Sequence, residues 1–290
     1  MAEASSITGN LRTTLEMIKW EHSVFALPFA LTGAMLAARG VPPLRILFWI
    51  IVCMVAARSA AMAFNRWADA EIDKHNPRTA MRAIPAGLLS RNFTAGFTIT
   101  AAVVFIFAAS RLNRMTLLLS PVALVIILGY SYAKRWTRWS HLVLGLALGI
   151  APSAAWIAVR GSLDPRILVL TLAVLFWVAG FDVLYACQDY EYDIRVGLNS
   201  IPQAFGLNAA FWIARFMHLC MLGLLAALVF LFSLSWISGL GLVAIAAMLL
   251  YEHWIVSPRD LRRMNAAFFM VNGIISFVFL IAVVVDLVRR

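Results

Sequence analysis

Apolar runs of close to membrane-crossing length follow one another along the chain, separated by polar breaks. They cover about 22–39, 44–65, 92–110, 115–132, 141–159, 166–187, 208–233, 236–254 and 265–287. About 20 helical residues cross the hydrocarbon of a bilayer, where a backbone out of reach of water must satisfy its own hydrogen bonds. None of the runs alternates as a barrel strand would. The pattern predicts an all-α integral membrane protein, a bundle of nine transmembrane helices. Most breaks are short, but two are long, 66–91 and 188–207, after the second and sixth runs.

Composition supports this picture. Of 290 residues, 63% are hydrophobic and 13% charged, well outside the soluble range. The formal charge of +10 raises nucleic acid as a partner, but orientation accounts for it better. With the N-terminus in the cytoplasm, fourteen Lys and Arg fall on the cytoplasmic side and eight on the other. The expectation is a multi-pass protein of the cytoplasmic (inner) membrane, N-terminus inside and C-terminus opposite, whose surroundings are lipid and not nucleic acid. The polar first twenty residues do not read as a cleavable signal peptide. Cys53, Cys187 and Cys220 sit in separate apolar runs without ligand spacing and read as packing.

The two long breaks resemble each other. Each holds D-x-E-x-D, at 69–73 and 189–193, then Ile84-Pro85 with Gly87-Leu88 in the first and Ile201-Pro202 with Gly206-Leu207 in the second. This suggests one domain over 1–290 built from an internal repeat, with halves near 1–140 and 141–290 and two Asp-rich cytoplasmic loops. Paired elements of this kind place a site between the halves of a membrane protein. Asn65, Asp69 and Asp73 stand at i, i+4 and i+8, one face of a continuing helix, with Arg58 seven residues earlier on the same face. Asp182, Tyr185, Asp189 and Asp193 form a second stripe.

Charges at membrane depth are costly and mark function. A solvated helix end explains any single Asp but not the paired pattern. A cation- or proton-coupled transporter explains the acids but has less use for the basic residues beside them. A divalent metal with a diphosphate explains both: Mg²⁺ takes one or two carboxylates plus phosphate oxygens, and Arg78, Arg82 and Lys134 neutralise what the metal leaves uncovered.

"NRWADAEIDKHNPRTAMRAIPAG" at 65–87, "YSYAKR" at 130–135 and "FDVLYACQDYEYD" at 181–193 resemble the motifs of the UbiA superfamily of intramembrane prenyltransferases. The likeness extends over nearly the whole chain. It implies transfer of a polyprenyl group from polyprenyl diphosphate to a lipid-soluble acceptor. By the same resemblance Asn65, Asp69, Asp73, Asp189 and Asp193 hold Mg²⁺, and Arg78, Arg82 and Lys134 bind diphosphate oxygens. Tyr130 and Asp182 match positions near the reacting centre, with Tyr185 on the substrate side. Arg66 follows Asn65 where many members have Asp, which removes one potential metal ligand. "NPRTA", "SIPQAFG" and "KWEHSVFALPFAL" at 19–31 are most similar to bacterial members that prenylate an aromatic acid, 4-hydroxybenzoate or a naphthoate of menaquinone synthesis. A phospholipid-headgroup transferase is the nearer enzyme rival.

Arg58 has two readings: a clamp for the acceptor carboxylate, which the resemblance suggests, or a countercharge for Asp69 or Asp73. Lys19 and His22 read as interface anchors or cavity lining, His218 and His253 as packing. Trp67 and Phe181 adjoin the motifs as possible shields of a carbocation.

Overall fold

The computed structural model describes residues 7–18, 26–264 and 271–289. After a short α1 (Ile7–Ile18), the helices are α2 (Ala26–Ala38), α3 (Leu44–Ala68), α4 (Ala70–His75), α5 (Arg91–Ser110), α6 (Arg114–Gly129), α7 (Ala133–Trp136), α8 (Ser140–Arg160), α9 (Leu168–Ala186), α10 (Tyr190–Val196), α11 (Ile201–Leu231), α12 (Trp236–Ile255) and α13 (Asn272–Val288). Among the described residues the regular structure is helical. Seven helical stretches are long and apolar enough to cross a membrane; α2 and α13 are apolar but shorter. The nine runs expected from the sequence thus become seven long helices and two short ones. Residues 19–25 and 265–270, where the first and last runs were expected to begin, lie outside the described residues, as do Lys19 and His22.

The bundle centres on α9, the most buried span, which packs chiefly against α8 and α11. In lipid, close helix approach depends on small residues. Gly145 and Gly149 of α8, four residues apart, provide that approach. A Cβ on Gly145 would stand 2.4 Å from the Leu175 carbonyl oxygen, and one on Gly149 2.8 Å from that of Thr171. Gly33 of α2 lies equally tight on Pro152. Phe29, Trp177 and Phe279 fill the centre, with Phe29 ring centroids 5.0 Å from Trp177 and 5.9 Å from Phe279. Phe181 packs on Trp177 in this core. Several polar groups buried here bond one another: Trp177 Nε1 donates to Asn272 Oδ1 at 2.7 Å, and Asn272 Nδ2 to Glu252 Oε1 at 3.0 Å. His218 and His253 share a 2.9 Å hydrogen bond. Large exposed apolar side chains such as Val125, Phe230 and Trp254 face outward, as lipid contact requires.

The long breaks are more helical than a loop reading expects. α3 pauses for one residue at Asp69 (φ −94°, ψ 3°) and resumes as α4; the sixth run pauses at Asp189 (φ −98°, ψ 6°) and resumes as α10. The acids therefore do not lie on two unbroken helical stripes. In each segment the first Asp turns the chain and the second stands one turn further on. Gly87 and Gly206 both adopt positive φ, +74° and +81°, a region that costs other residues steric strain. The "SIPQAF" stretch, placed in a loop by its polarity, forms the first turns of α11 ahead of the Gly206 kink, capped by Ser200.

Candidate active site

Three segments far apart in sequence meet at one end of the bundle. Asp69, 2% exposed, accepts from Lys134 Nζ at 2.6 Å, from Asn65 Nδ2 at 3.1 Å and from Arg135 Nη2 at 3.5 Å. Asp73, 3% exposed, has both oxygens 2.7 Å from Arg82 Nη1. Asp189 accepts from Arg78 Nε at 2.8 Å and from Asn76 Nδ2 at 3.0 Å, and Arg78 Nη2 holds its other oxygen. Two further bonds tie the segments: Tyr192 donates its hydroxyl to the Ile72 carbonyl at 2.8 Å, and Asn199 N–H donates to the Lys134 carbonyl at 2.8 Å.

The electrostatics suit an anion. Arg66, Arg78, Arg82, Lys134 and Arg135 set five cations against the four carboxylates Asp69, Asp73, Asp189 and Asp193, leaving one positive charge over. Burial works against the charge on Arg78, yet the hydrogen bonds and charge of Asp189 outweigh it and hold the guanidinium pKa above its ordinary value. Arg78 Nη1 also donates to Tyr185 Oη at 3.1 Å, and its guanidinium lies over the Tyr185 ring at 5.2 Å. Arg66 Nη1 donates to Asn65 Oδ1 at 3.4 Å, so a cation occupies the place where a metal-binding Asp was missing.

Asp193 and Asp182 stand apart from these ion pairs. Asp193 accepts from the Ser200 hydroxyl at 2.9 Å, and Asp182 is bonded to His141 at 2.7 Å. Among the described residues, no group of three or more His, Cys, Asp and Glu could hold a metal by itself. The donors are nonetheless hard oxygens presented singly from both motifs, a set that fits an ion completing its shell with phosphate and water.

Arg58 lies deeper, on a cavity of about 290 Å³ between α3, α5, α6 and α8 that it shares with Tyr130 and with apolar residues such as Cys53, Ile127 and Ala151. Its Nε is buried without a hydrogen-bond partner among the described residues. The countercharge reading of Arg58 gives way here: Asp69 is paired with Lys134 and Arg135, and Asp73 with Arg82. Trp67 stacks on Phe64 with ring centroids 5.7 Å apart and lies under Arg91.

Sequence reasoning missed Asn76, Arg135, His141, Tyr192 and Ser200. Asn76 and Arg135 lie inside stretches that were read as motifs, so their type and place carried some signal. His141, at the start of an apolar run, carried none.

The comparisons agree with the geometry. The model of the UbiA prenyltransferase family matches residues 26–274, and the chain belongs to that family. It is 31% identical over 233 residues to a 4-hydroxybenzoate octaprenyltransferase of Vibrio cholerae, covering 79% of this chain and 81% of the relative. Among solved structures, a UbiA homolog from Aeropyrum pernix K1 superposes with a TM-score of 0.84 at 32% identity, covering 92% of this chain and 98% of the homolog. A UbiA homolog from Archaeoglobus fulgidus bound to GPP and Mg²⁺ shares the fold, with a TM-score of 0.73 at 19% identity over 95% of this chain and 99% of that one.

Proposed function

We propose that the protein transfers a polyprenyl group from polyprenyl diphosphate to an aromatic acid of the 4-hydroxybenzoate type, with Mg²⁺ as cofactor. One observation carries this: acid–base clusters from separate motifs meet above an apolar cavity lined by Arg58, whose buried Nε has no hydrogen-bond partner among the described residues. The cluster suits the diphosphate, the cavity the prenyl chain and ring, and Arg58 the carboxylate. The 4-hydroxybenzoate octaprenyltransferase relative supports the acceptor class, and the Mg²⁺ bound to the Archaeoglobus fulgidus homolog supports the cofactor.

Asn65, Asp69, Asp73, Asp189 and Asp193 would hold the divalent ion, which supplies charge neutralisation for the leaving diphosphate. Arg78, Arg82 and Lys134, released from their carboxylates as substrate binds, turn to the phosphate oxygens. They stabilise the negative charge that develops as the allylic C–O bond breaks. Tyr185 holds Arg78 through its hydroxyl and ring. Tyr130 and the apolar wall keep water from the allylic cation until the ring carbon attacks it. A cation-coupled transporter lacks a role for an Arg58 that lines the apolar cavity away from the acid–base pairs.

Incubating the purified protein with 4-hydroxybenzoate, a naphthoate and several polyprenyl diphosphates, then identifying products by mass, tests the reading. A ring-prenylated 4-hydroxybenzoate is expected. Solute transport in liposomes without any diphosphate consumption would overturn it.

The chain reads as a single unit with nine spans and both motifs on the cytoplasmic face, as the charge distribution favours. In a variant lacking the three native Cys, a Cys at exposed position His75 is expected to react with an impermeant maleimide only once the cytoplasmic side is opened. A Cys at Ser162 is expected to react from outside. The reverse accessibility would contradict this orientation.

A further inference from the structure

His141 lies in none of the motifs, yet it is 3% exposed and both of its ring nitrogens are bonded. The Ile201 backbone N–H donates to Nε2 at 3.2 Å. A donor aimed at Nε2 requires a lone pair there, so the ring is neutral and its proton sits on Nδ1. Nδ1–H therefore donates to Asp182 Oδ2, 2.7 Å away. No other hydrogen bond or ion pair reaches Asp182 among the described residues, so Oδ1 is the oxygen left for another use. The carboxylate is 26% exposed and within electrostatic reach of Tyr130, which lines the cavity.

Building on the proposed transfer reaction, we propose that His141 is a positioning residue that turns Asp182 so that Oδ1 accepts the proton lost from the acceptor ring. In that reaction the allylic C–O electron pair leaves on the diphosphate, and a ring π pair forms the new C–C bond. The proton on the substituted ring carbon passes to Asp182 Oδ1, restoring the aromatic ring. Asp182 becomes a neutral acid and later releases the proton to solvent. None of the four carboxylates in the diphosphate cluster suits this step, since each must stay charged. Among the described residues Asp182 and Asp193 are the acids of the site without a cation partner, and of the two only Asp182 lies outside the set assigned to the ion.

The same imidazole ties the dyad to the second motif. Ile201 opens α11 next to Ser200, whose hydroxyl donates to Asp193. His141 thus reaches both the reacting centre and the diphosphate cluster, from a helix that carries neither motif.

The two nitrogens can be tested separately. An Asn side chain reaches the Nδ1 position and can still donate to Asp182, whereas Gln reaches the Nε2 position and can only accept from Ile201. His141→Asn is therefore expected to keep most of kcat. His141→Gln is expected to lose roughly 10- to 100-fold in kcat, the scale of a displaced catalytic group, with both KM values and the melting temperature near wild type. Asp182→Asn combined with His141→Gln should be no slower than Asp182→Asn alone. If Asn and Gln lose activity equally and in step with melting temperature, His141 is structural and the inference fails. Full activity in His141→Gln also overturns it. Failure of the transfer reading itself would look different: the unsubstituted enzyme would prenylate no aromatic acid.

Discussion

Substituting Asn for any one of Asp69, Asp73 or Asp189 is expected to lower kcat about 100-fold or more while the protein still expresses and folds. Removing a group that stabilises developing charge in a water-poor site costs on that scale. Asn keeps the shape and loses only the charge, so each variant strips a carboxylate from its cations: Lys134 and Arg135 for Asp69, Arg82 for Asp73, Arg78 for Asp189. The groups act as one unit, so double variants should be little worse than singles. Asp193→Asn is expected to be milder in stability, because its partner is the neutral Ser200 hydroxyl, but to lose turnover as well. Chelation by EDTA should stop the reaction and Mg²⁺ restore it. Steady-state rates with and without metal decide the matter. Single variants retaining near-normal turnover, or full activity without metal, would remove the motifs from the mechanism.

Arg58 carries the second large effect. It lines the cavity with a planar guanidinium, a group able to grip a carboxylate bidentately, and its Nε has no hydrogen-bond partner among the described residues. Arg58→Lys keeps the charge and loses the fork. The KM for the aromatic acid is expected to rise roughly 10- to 100-fold, the worth of a charge-assisted hydrogen bond. The KM for polyprenyl diphosphate should hardly change, and Arg58→Gln should be worse. Because Asp69 and Asp73 already have other cations, neither variant should alter the Mg²⁺ requirement. An effect confined to the diphosphate KM would retire the clamp.

Much of this architecture was legible in the sequence because lipid leaves the chain few options. Apolar runs had to be helices, and the edges read from hydropathy fall within a few residues of α3, α5, α8 and α12. The breaks were harder. Polarity alone suggested loops at 66–91 and 188–207, but Asp69 and Asp189 interrupt helices that then continue, and hydropathy does not distinguish an exposed helix from a loop. The carboxylates and most of their cations stood out because charge beside an apolar run is expensive and repeated here twice. Which cation pairs with which acid did not, since the Arg78–Asp189 pair joins residues 111 apart. His141 and Ser200 escaped for another reason. A neutral His at a helix start and a Ser before a Pro-containing turn have common structural uses, and only the bonds they make set them apart.

Both motifs are expected to form a single site that joins a diphosphate to an aromatic acid. This is tested most directly by pyrophosphate release from the purified protein, measured with polyprenyl diphosphate and 4-hydroxybenzoate together, with each alone, and with both in EDTA. Release is expected only with both substrates and Mg²⁺, in step with prenylated product. Release without acceptor at the same rate, or product formed without pyrophosphate, would contradict it.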